Sequence, residues 1–404
     1  MNPSVAAVAS AWLAMFAEVP PAAVPTARAA IAEMGRRCDN GWRAMMATWH
    51  EKTGLVYGCP PESVRSCAGA VDGMFPWTAE TGYGAGMSDC ALVCGTALSG
   101  LVDRFAALGD DGSRADAAKV ARGVLNLAKL HGVRGFVARG LCADDARTIC
   151  SLSSRDQFTH WAHGLWRYCS SPMADPSLVA EYRTLVADVA AFMEERVTPE
   201  RGWNFGLADG GEDPRGICTM WGPDLAPHED ARLPMIYAVA FMATGDVHWR
   251  ELYEGLVDEA LDRTLRIDGP DRAQFLSPLP CYSLYQANAS LEILLAFERG
   301  NPTRREKIER AIRAFSGIAA DKARRALREP DAAPPYGMCW DGELALAMLM
   351  APGVPDADAA APILARAVGN SDLAESGVIR AAHVMAAYWR WRAGVREDAS
   401  GAAR

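Results

Sequence analysis

Strand-type alternation of apolar and polar residues is nearly absent from this chain of 404 residues. Apolar residues instead recur at intervals of three and four almost throughout, which is the spacing of one helical face. The pattern excludes a mainly β fold and predicts an all-α protein. Half of the residues are apolar, which is enough for one large core or a few smaller ones.

Basic clusters are missing as well. The net charge is −9 and the isoelectric point is near 5.4, and no stripe of Lys or Arg marks a nucleic-acid surface. No run reaches the ~18 uninterrupted apolar residues that a membrane span needs. We therefore expect neither nucleic acid nor membrane as a partner, although an acidic chain can still hold a local basic pocket for an anionic ligand.

Closely paired cysteines are also lacking. The eleven cysteines are scattered without a CxxC motif, and the closest two are Cys90 and Cys94. Disulfide frameworks are typical of smaller secreted chains, so most of these residues are interpreted as small buried side chains in a reducing compartment. A Cys/His zinc site is the alternative. We expect no metal and no other cofactor.

The N-terminal stretch from Val5 to Phe16 is apolar enough to resemble the centre of a secretory signal. No Lys or Arg precedes it, however, and the first basic residue is Arg28. Its apolar residues repeat with helical spacing, which favours a core helix over a signal. We therefore expect a cytoplasmic protein.

The periodicity and the turn residues together predict a chain of helices. Short turns occur at Gly109-Asp110, Ser171-Pro172, Gly245-Asp246 and Gly300-Asn301, where Gly or Pro ends one helix and a polar residue caps the next. The predicted helices cover residues 4–18, 21–48, 88–108, 113–130, 155–171, 176–195, 227–244, 247–265, 281–299, 302–327, 340–351, 355–369 and 374–393.

Long segments rich in Gly, Pro, Trp and Tyr separate the tightly turned pairs. They cover 49–87, 131–154, 197–226, 266–280 and 328–339. The alternation of tight turn and long loop is typical of stacked helical hairpins. It predicts an (α/α)6 toroid with the long loops at one mouth, formed as a single domain over residues 1–404. An open solenoid is the alternative.

The segment from Ser153 to Trp166 concentrates polar chemistry in one predicted helix. Asp156, His160 and His163 share a helical face there, the face that would normally carry leucines. Titratable groups in that position need partners or a wet cavity, so we predict a pocket. The alternative is a polar helix start on the surface, which the neighbouring indoles of Trp161 and Trp166 disfavour.

Several inner helices of such a toroid begin with aspartate: Asp89, Asp156, Asp230 and Asp341. The simplest interpretation of each is stabilisation of a helix N-terminus. Asp89 and Asp156 stand out because loops rich in glycine and aromatics lead into them. Two carboxylates facing one cavity are the minimum for glycoside hydrolysis, so we predict Asp89, Asp156 and His160 as catalytic residues.

Two arginines bracket a long loop before this helix. The guanidinium groups of Arg139 and Arg155 could bind the carboxylate of a uronic acid bidentately, or they could form salt bridges to loop aspartates such as Asp144 or Asp145. Aromatic residues in the loops could stack on sugar rings. The predicted substrate-binding residues are Trp77, Tyr83, Arg139, Arg155, Gln157, His163, His228 and Trp340.

Three features resemble the (α/α)6-barrel carbohydrate enzymes: the repeated helical hairpins, Asp89 at the start of one helix, and the sequence Ser154-Arg155-Asp156-Gln157 at the start of another. The unsaturated glucuronyl hydrolases and unsaturated rhamnogalacturonyl hydrolases are the most similar. The resemblance implies a proton-donating aspartate at Asp156 or Asp89, which protonates the C4=C5 bond of an unsaturated uronyl group before water adds. This sequence has Arg155-Asp156-Gln157 where the family has a central glycine, and its aromatic residue is displaced to Phe158 or Trp161.

These observations predict a glycoside hydrolase-like enzyme acting on a terminal, acidic sugar of a small-molecule or oligosaccharide substrate. A polysaccharide lyase using His160 with Arg139 or Gln157 is the first alternative. A non-sugar isomerase or cyclase and a binding scaffold are the others. Motifs of other classes are absent: the chain has no HExxH, GxSxG, P-loop or DxDD, and no GxGxxG following a strand.

Overall fold

The computed structural model describes residues 27–58, 70–71, 73–76, 89–270, 272–276, 279–328, 341–350, 357–369 and 377–401. The chain is 67% helix and 3% strand, which confirms the all-α prediction. The predicted helix over 4–18 lies outside the described residues.

The described residues form fourteen α-helices, two short 3-10 turns (Pro199–Arg201 and Leu265–Asp268) and two strands. The strands, β1 (Met74–Phe75) and β2 (Ile149–Cys150), pair in parallel. The helices are α1 (Ala27–Met46), α2 (Cys90–Leu108), α3 (Asp111–Asn126), α4 (Arg155–Cys169), α5 (Pro176–Arg196), α6 (Arg232–Thr244), α7 (Val247–Glu254), α8 (Val257–Thr264), α9 (Arg272–Leu276), α10 (Cys281–Phe297), α11 (Pro302–Arg328), α12 (Asp341–Leu349), α13 (Ala357–Gly369) and α14 (Val378–Gly401).

Two of the four predicted tight turns, Gly109-Asp110 and Gly245-Asp246, have the predicted chemistry. Gly109 and Gly245 end α2 and α6 with φ of 69° and 74°, the left-handed conformation that glycine adopts without strain. The aspartates that follow them cap α3 and α7: Asp110 accepts a hydrogen bond from the Ser113 backbone and Asp246 one from the His248 backbone. The turns from α2 to α3 and from α6 to α7 are therefore set locally by Gly-Asp pairs.

Two predicted helix boundaries are wrong. Residues 227–231 form turns before α6, which begins only at Arg232. The single helix expected over 247–265 is divided into α7 and α8 at Gly255 and Leu256. The apolar spacing continues across this break, so periodicity alone could not reveal it.

Six helices contact one another in a cyclic order. The order is α2, α4, α6, α10, α12 and α14, and α14 contacts α2 in turn; α4 also contacts α10. The remaining long helices each contact members of this set: α3 contacts α2, α5 contacts α4 and α6, α11 contacts α10 and α12, α13 contacts α12 and α14, and α1 contacts α14. Within this set, α2 and α10 are buried along most of their length, as expected for apolar helices of a protein core.

Glycines allow the closest approaches between inner helices. A Cβ added to Gly95 on α2 would lie 2.3 Å from the His160 carbonyl oxygen on α4, and one added to Gly164 would lie 2.6 Å from the Gly95 carbonyl oxygen. These contacts bring the backbones of α2 and α4 together beside His160. The helix that carries Asp156 is thereby held rigidly against its neighbour.

Most described cysteines are buried free thiols, as predicted, with Cys169 partly exposed. Cys281, the first residue of α10, departs from this expectation because it is disulfide-bonded. In the described part of the chain, α2 is the one helix long and apolar enough to span a bilayer, and 61% of its most apolar window is buried within the protein. Buried core helices satisfy the same length and composition test.

The close crossing of α2 and α4 yields a stability prediction. Gly95→Ala should destabilise the protein by about 1–3 kcal/mol or more, because the new methyl group collides with backbone rather than with a flexible side chain. Gly317→Ala in α11 is the matched control, since nothing lies within 4 Å of its added Cβ. The control should be stabilised by about 0.5–1 kcal/mol through its higher helix propensity. Denaturant unfolding measures both; equal effects of the two substitutions would contradict the close crossing.

Candidate functional site

Asp89 stands immediately before α2 and is held by two donors. Its Oδ1 accepts hydrogen bonds from Arg139 Nη2 at 2.7 Å and from Gln157 Nε2 at 2.9 Å. Its side chain makes no capping bond to the helix, so the simple capping interpretation does not describe its contacts. The carboxylate keeps 17% of its surface exposed, whereas the Arg139 side chain keeps 5%. Asp89 therefore lies between a buried cation and solvent.

Asp156 occupies the first turn of α4 but does not cap it, because Ser154 is the N-cap residue. Its Oδ1 lies 2.5 Å from Arg232 Nη1 on α6. The Arg232 side chain is 1% exposed, whereas that of Asp156 is 30% exposed. Burial alone raises the pKa of Asp156, but the attraction and hydrogen bond of Arg232 outweigh it and lower this pKa to about 2. Asp156 is consequently a charged carboxylate that solvent can reach.

A hydrogen-bonded relay extends from Asp156 into the interior. Arg232 Nη2 donates to Gln286 Oε1 at 2.7 Å, which fixes the orientation of the Gln286 amide. Its nitrogen therefore faces His160 Nε2, 3.2 Å away, and donates to it. His160 must then carry its proton on Nδ1 and donate to Thr96 Oγ1, which is 3.0 Å away.

This relay gives His160 a defined chemical state. The imidazole is 1% exposed, and burial, reinforced by repulsion from His383, holds its pKa well below the usual range. Both ring nitrogens are hydrogen-bonded. His160 is thus a neutral interior group that reaches Asp156 only through Gln286 and Arg232.

A second set of polar groups lies beside Asp156. The Arg155 side chain donates to Glu229 and, at 3.0 Å, to the Gly216 carbonyl oxygen. His228 lies 3.6 Å from the same Glu229 carboxylate, yet burial lowers its pKa to about 4. His228 is therefore neutral at pH 7. Burial and the charge of Asp156 raise the pKa of Tyr282, at the start of α10, to about 12.

His163 belongs to a different cluster from His160. Its Nε2 is hydrogen-bonded to Glu292 at 2.8 Å, and Arg390 contacts the other oxygen of this carboxylate at 2.5 Å. Its Nδ1 has no partner among the described residues. The side chain is 1% exposed, so the structure places this predicted substrate-binding residue in a buried ion network two turns along α4 from Asp156.

The predicted site residues thus fall into groups. The structure brings together Asp89, Arg139 and Gln157, and separately Asp156 with His160. Arg139 pairs with Asp89 and Arg155 pairs with Glu229. These partners differ from the loop aspartates, Asp144 and Asp145, that the sequence suggested. The predicted binding residues Trp77, Tyr83 and Trp340 lie outside the described residues.

Two buried tryptophans, Trp161 and Trp221, have structural roles. Trp161 is fully buried and donates its indole hydrogen to the Val124 carbonyl oxygen at 2.8 Å. Trp221 is buried with the Arg263 guanidinium over its ring, 4.7 Å from the centroid. Neither indole is available for stacking on a sugar.

Sequence reasoning missed Arg232, Glu229, Gln286 and Tyr282. The available signal was weak: Arg232 is the charged first residue of the otherwise mostly apolar α6, and Gln286 is one of several polar residues of α10. Such residues need buried partners. No group of three or more His, Cys, Asp or Glu residues in the described ranges is arranged to hold a metal ion.

The low pKa of Asp156 makes its ion pair a source of pH-dependent stability. A carboxylate whose pKa is lower in the folded than in the unfolded state stabilises the protein at pH values above its unfolded-state pKa. This contribution disappears as the pH falls through its folded-state pKa. The stability of the wild-type protein relative to Asp156→Asn should therefore fall by about 2 kcal/mol between pH 5 and pH 1.

Denaturant unfolding across this pH range is the measurement. Asp224→Asn is the surface control, because Asp224 is exposed and has no ion-pair partner among the described residues. The control curve should run parallel to that of the wild type. If the unfolding free energy of Asp156→Asn also changed with pH in parallel with that of the wild type, Arg232 would not hold the carboxylate in its charged form.

Comparison with known proteins adds no assignment. No family model, curated protein or solved structure matches the chain. The function must therefore be inferred from the geometry of Asp89, Asp156 and their partners.

Proposed function

We propose that the six inner helices close into a sixfold toroid whose polar mouth is formed by their N-terminal ends. The cyclic contact order of α2, α4, α6, α10, α12 and α14 supports closure. Asp89 precedes α2, Asp156 opens α4, and Tyr282 opens α10. Residues 228–232, which carry His228, Glu229 and Arg232, lead into α6. Polar groups from four inner helices thus meet at one end.

Within this toroid the protein acts as a glycoside hydrolase-like enzyme on a terminal, acidic sugar. The observation that carries this proposal is the pair of partly exposed carboxylates at the starts of adjacent helices. Asp89 and Asp156 are joined through Gln157, which follows Asp156 directly and donates to Asp89. Each carboxylate is backed by a buried guanidinium. Two carboxylates with separate partners are the arrangement that acid–base cleavage of a sugar uses.

The charge state of Asp156 determines when it can act as an acid. In the free protein it is ionised, so it can accept a hydrogen bond from a water molecule and position it, but a pKa of about 2 makes it a poor base. A uronate carboxylate bound beside it would add a like charge and raise its pKa. Asp156 could then acquire a proton from solvent and deliver it to the sugar. In this scheme an anionic substrate prepares its own proton donor.

The other groups have supporting roles. Arg155 is the more exposed of the two predicted carboxylate binders, with 19% of its side chain exposed against 5% for Arg139, although it also donates to Glu229. His160 is a positioning residue: through Gln286 it fixes the Arg232 guanidinium against Asp156. It does not itself touch the space in which a substrate would bind.

A polysaccharide lyase is the second candidate, and one observation favours it. β-Elimination needs a neutral base near the uronate, and His228 is neutral at pH 7 while remaining 16% exposed. His160 is less suited to this role because both of its ring nitrogens are hydrogen-bonded. The lyase would thus use His228 as its base.

Removing the charge of Asp156 tests the hydrolase. Asp156→Asn should lower turnover at least ~100-fold on the best uronic-acid oligosaccharide, as expected for an acid–base group. Asp175→Asn is the matched control because Asp175 caps α5 and asparagine caps equally well; its turnover should match that of the wild type. A thermal melt of each variant shows whether the protein is folded. Near-normal turnover of folded Asp156→Asn would exclude a catalytic role for this residue.

Ultraviolet absorbance distinguishes the two reactions. A lyase creates a conjugated C4=C5 bond and raises absorbance near ~230 nm, whereas hydrolysis of an unsaturated uronyl sugar removes it. We expect a fall in absorbance with unsaturated disaccharides and no rise with saturated polyuronates. A rise that His228→Gln abolishes would favour the lyase instead.

A further inference from the structure

The aspartate before α2 behaves differently from other aspartates that precede helices. Asp110, Asp175 and Asp246 occupy the N-cap positions of α3, α5 and α7, and each accepts a hydrogen bond from the backbone of its own helix. Asp89 is the N-cap residue of α2, yet its side chain makes no such bond. Its carboxylate is therefore free of the usual capping role.

Residues from outside α2 take the backbone groups that an N-cap side chain normally binds. These groups are the N–H of the second and third helical residues, here Ala91 and Leu92. The Ala91 N–H donates to the Arg139 carbonyl oxygen at 3.2 Å, and the Leu92 N–H donates to Gln157 Oε1 at 3.3 Å. Helix α2 is thus capped by the loop before α4 and by α4 itself.

The capping bond fixes the orientation of the Gln157 amide. Because Oε1 accepts from an N–H group, Nε2 is the atom that faces Asp89 Oδ1, 2.9 Å away. Gln157 is 1% exposed, and both of its polar atoms are engaged. Its contacts therefore favour a role in holding Asp89 over direct contact with a substrate.

Asp89 keeps one carboxylate oxygen free. Its Oδ1 accepts from Gln157 and from Arg139 Nη2, whereas Oδ2 has no hydrogen-bond partner among the described residues. The unpartnered polar atoms that are closed to solvent in this part of the chain do not include Oδ2. A carboxylate held by one oxygen and open at the other can contact a sugar while its orientation stays fixed.

The first turn of α4 holds both carboxylates of the proposed site. Neighbouring helical residues point about 100° apart, at 3.6 residues per turn. Asp156 accordingly contacts Arg232 on α6, while Gln157 contacts Asp89 before α2. The rigid crossing of α2 and α4 at Gly95 therefore also supports the contact between Gln157 and Asp89.

We propose that Gln157 is a positioning residue, which caps α2 in place of Asp89 and thereby holds the Asp89 carboxylate in its reactive orientation. The catalytic meaning of this role rests on the proposed function. Without Gln157, Asp89 turns and caps its own helix as Asp110 does, and its carboxylate is withdrawn from the substrate.

Gln157→Met tests this role, because methionine has a similar length and lacks both the donor and the acceptor. We expect kcat on the best uronic-acid oligosaccharide to fall about 10- to 100-fold, as for a misplaced catalytic group, with KM changed by less than about twofold. In an Asp89→Asn background the same substitution should change kcat by less than about twofold, because its effect passes through Asp89. A thermal melt shows whether each variant is folded.

Two kinetic results would overturn the proposal. A raised KM with unchanged kcat would show that Gln157 binds the substrate itself. Equal losses of kcat in the wild type and in the Asp89→Asn background would show that Gln157 acts independently of Asp89. Normal turnover of Asp89→Asn would instead contradict the proposed function of Asp89, and the contact with Gln157 is then tested without substrate.

Gln157→Glu is the variant for that test. It keeps an acceptor for the Leu92 N–H but replaces the donor to Asp89 with a second carboxyl oxygen. Two carboxylates at hydrogen-bond distance cannot both ionise without cost, so the folded protein retains a proton that the unfolded chain releases. Its unfolding equilibrium constant relative to the wild type should therefore rise by up to about tenfold per pH unit above pH ~4.3, the ordinary pKa of glutamate.

Denaturant unfolding from about pH 4 to about pH 8 measures this dependence. Gln274→Glu is the matched control because Gln274 is exposed on α9, and its unfolding constant should follow that of the wild type. A variant that folds near pH 4 and unfolds near neutral pH would be the same result in a stronger form. An unfolding constant of Gln157→Glu that stays parallel to the wild type would overturn the proposal, because Gln157 would then not face Asp89.

Discussion

The buried guanidinium of Arg232 is the interaction on which the candidate site depends. A charge in a side chain only 1% exposed is tolerated when it is paired and hydrogen-bonded. Arg232 pairs with one carboxylate, Asp156, and one amide oxygen, Gln286, whereas its Nε has no partner among the described residues. Both partners are thereby fixed: Asp156 in its charged form and Gln286 in one amide orientation. The tautomer of His160 follows from the second of these constraints.

The same constraint explains why Asp156 and His160 cannot be independent catalytic groups. A proton added to Asp156 weakens its attraction to Arg232, and a proton added to His160 would face the donating nitrogen of Gln286. Each protonation therefore costs free energy, because the buried Arg232 guanidinium holds both Asp156 and Gln286. A substrate that brings its own negative charge can share this cation, which is the physical reason that we propose an acidic sugar as the substrate.

Much of the fold was predictable from the sequence because its determinants are local. Helical periodicity and Gly-Asp turns fix α2, α3, α6 and α7 through contacts within a few residues. The positions of Asp89 and Asp156 at helix starts followed from the same local patterns. The break between α7 and α8 was missed because the apolar spacing runs through it.

The candidate site was less predictable because its partners are distant in the chain. Arg232 and Gln286 lie 76 and 126 residues from their partners Asp156 and His160, and no local pattern selects such pairs. The shared helical face of His160 and His163 was also misleading. One turn of helix is enough to place His160 against Gln286 and His163 against Glu292. Residues on one helical face therefore belong to two different hydrogen-bond networks.

Charged pairs also specify how the inner helices align. Asp103 on α2 pairs with Arg167 on α4 at 2.7 and 2.8 Å, and Glu292 on α10 pairs with Arg390 on α14. Asp156 and Arg232 join α4 to α6 in the same way. Apolar contacts between helices are non-directional, so a slide of one helix along another costs them little. Each of these ion pairs would be broken by such a slide, leaving a partly buried charge without its partner. The polar interior therefore fixes the register of the helices, and this register keeps Gln157, the residue after Asp156, hydrogen-bonded to Asp89.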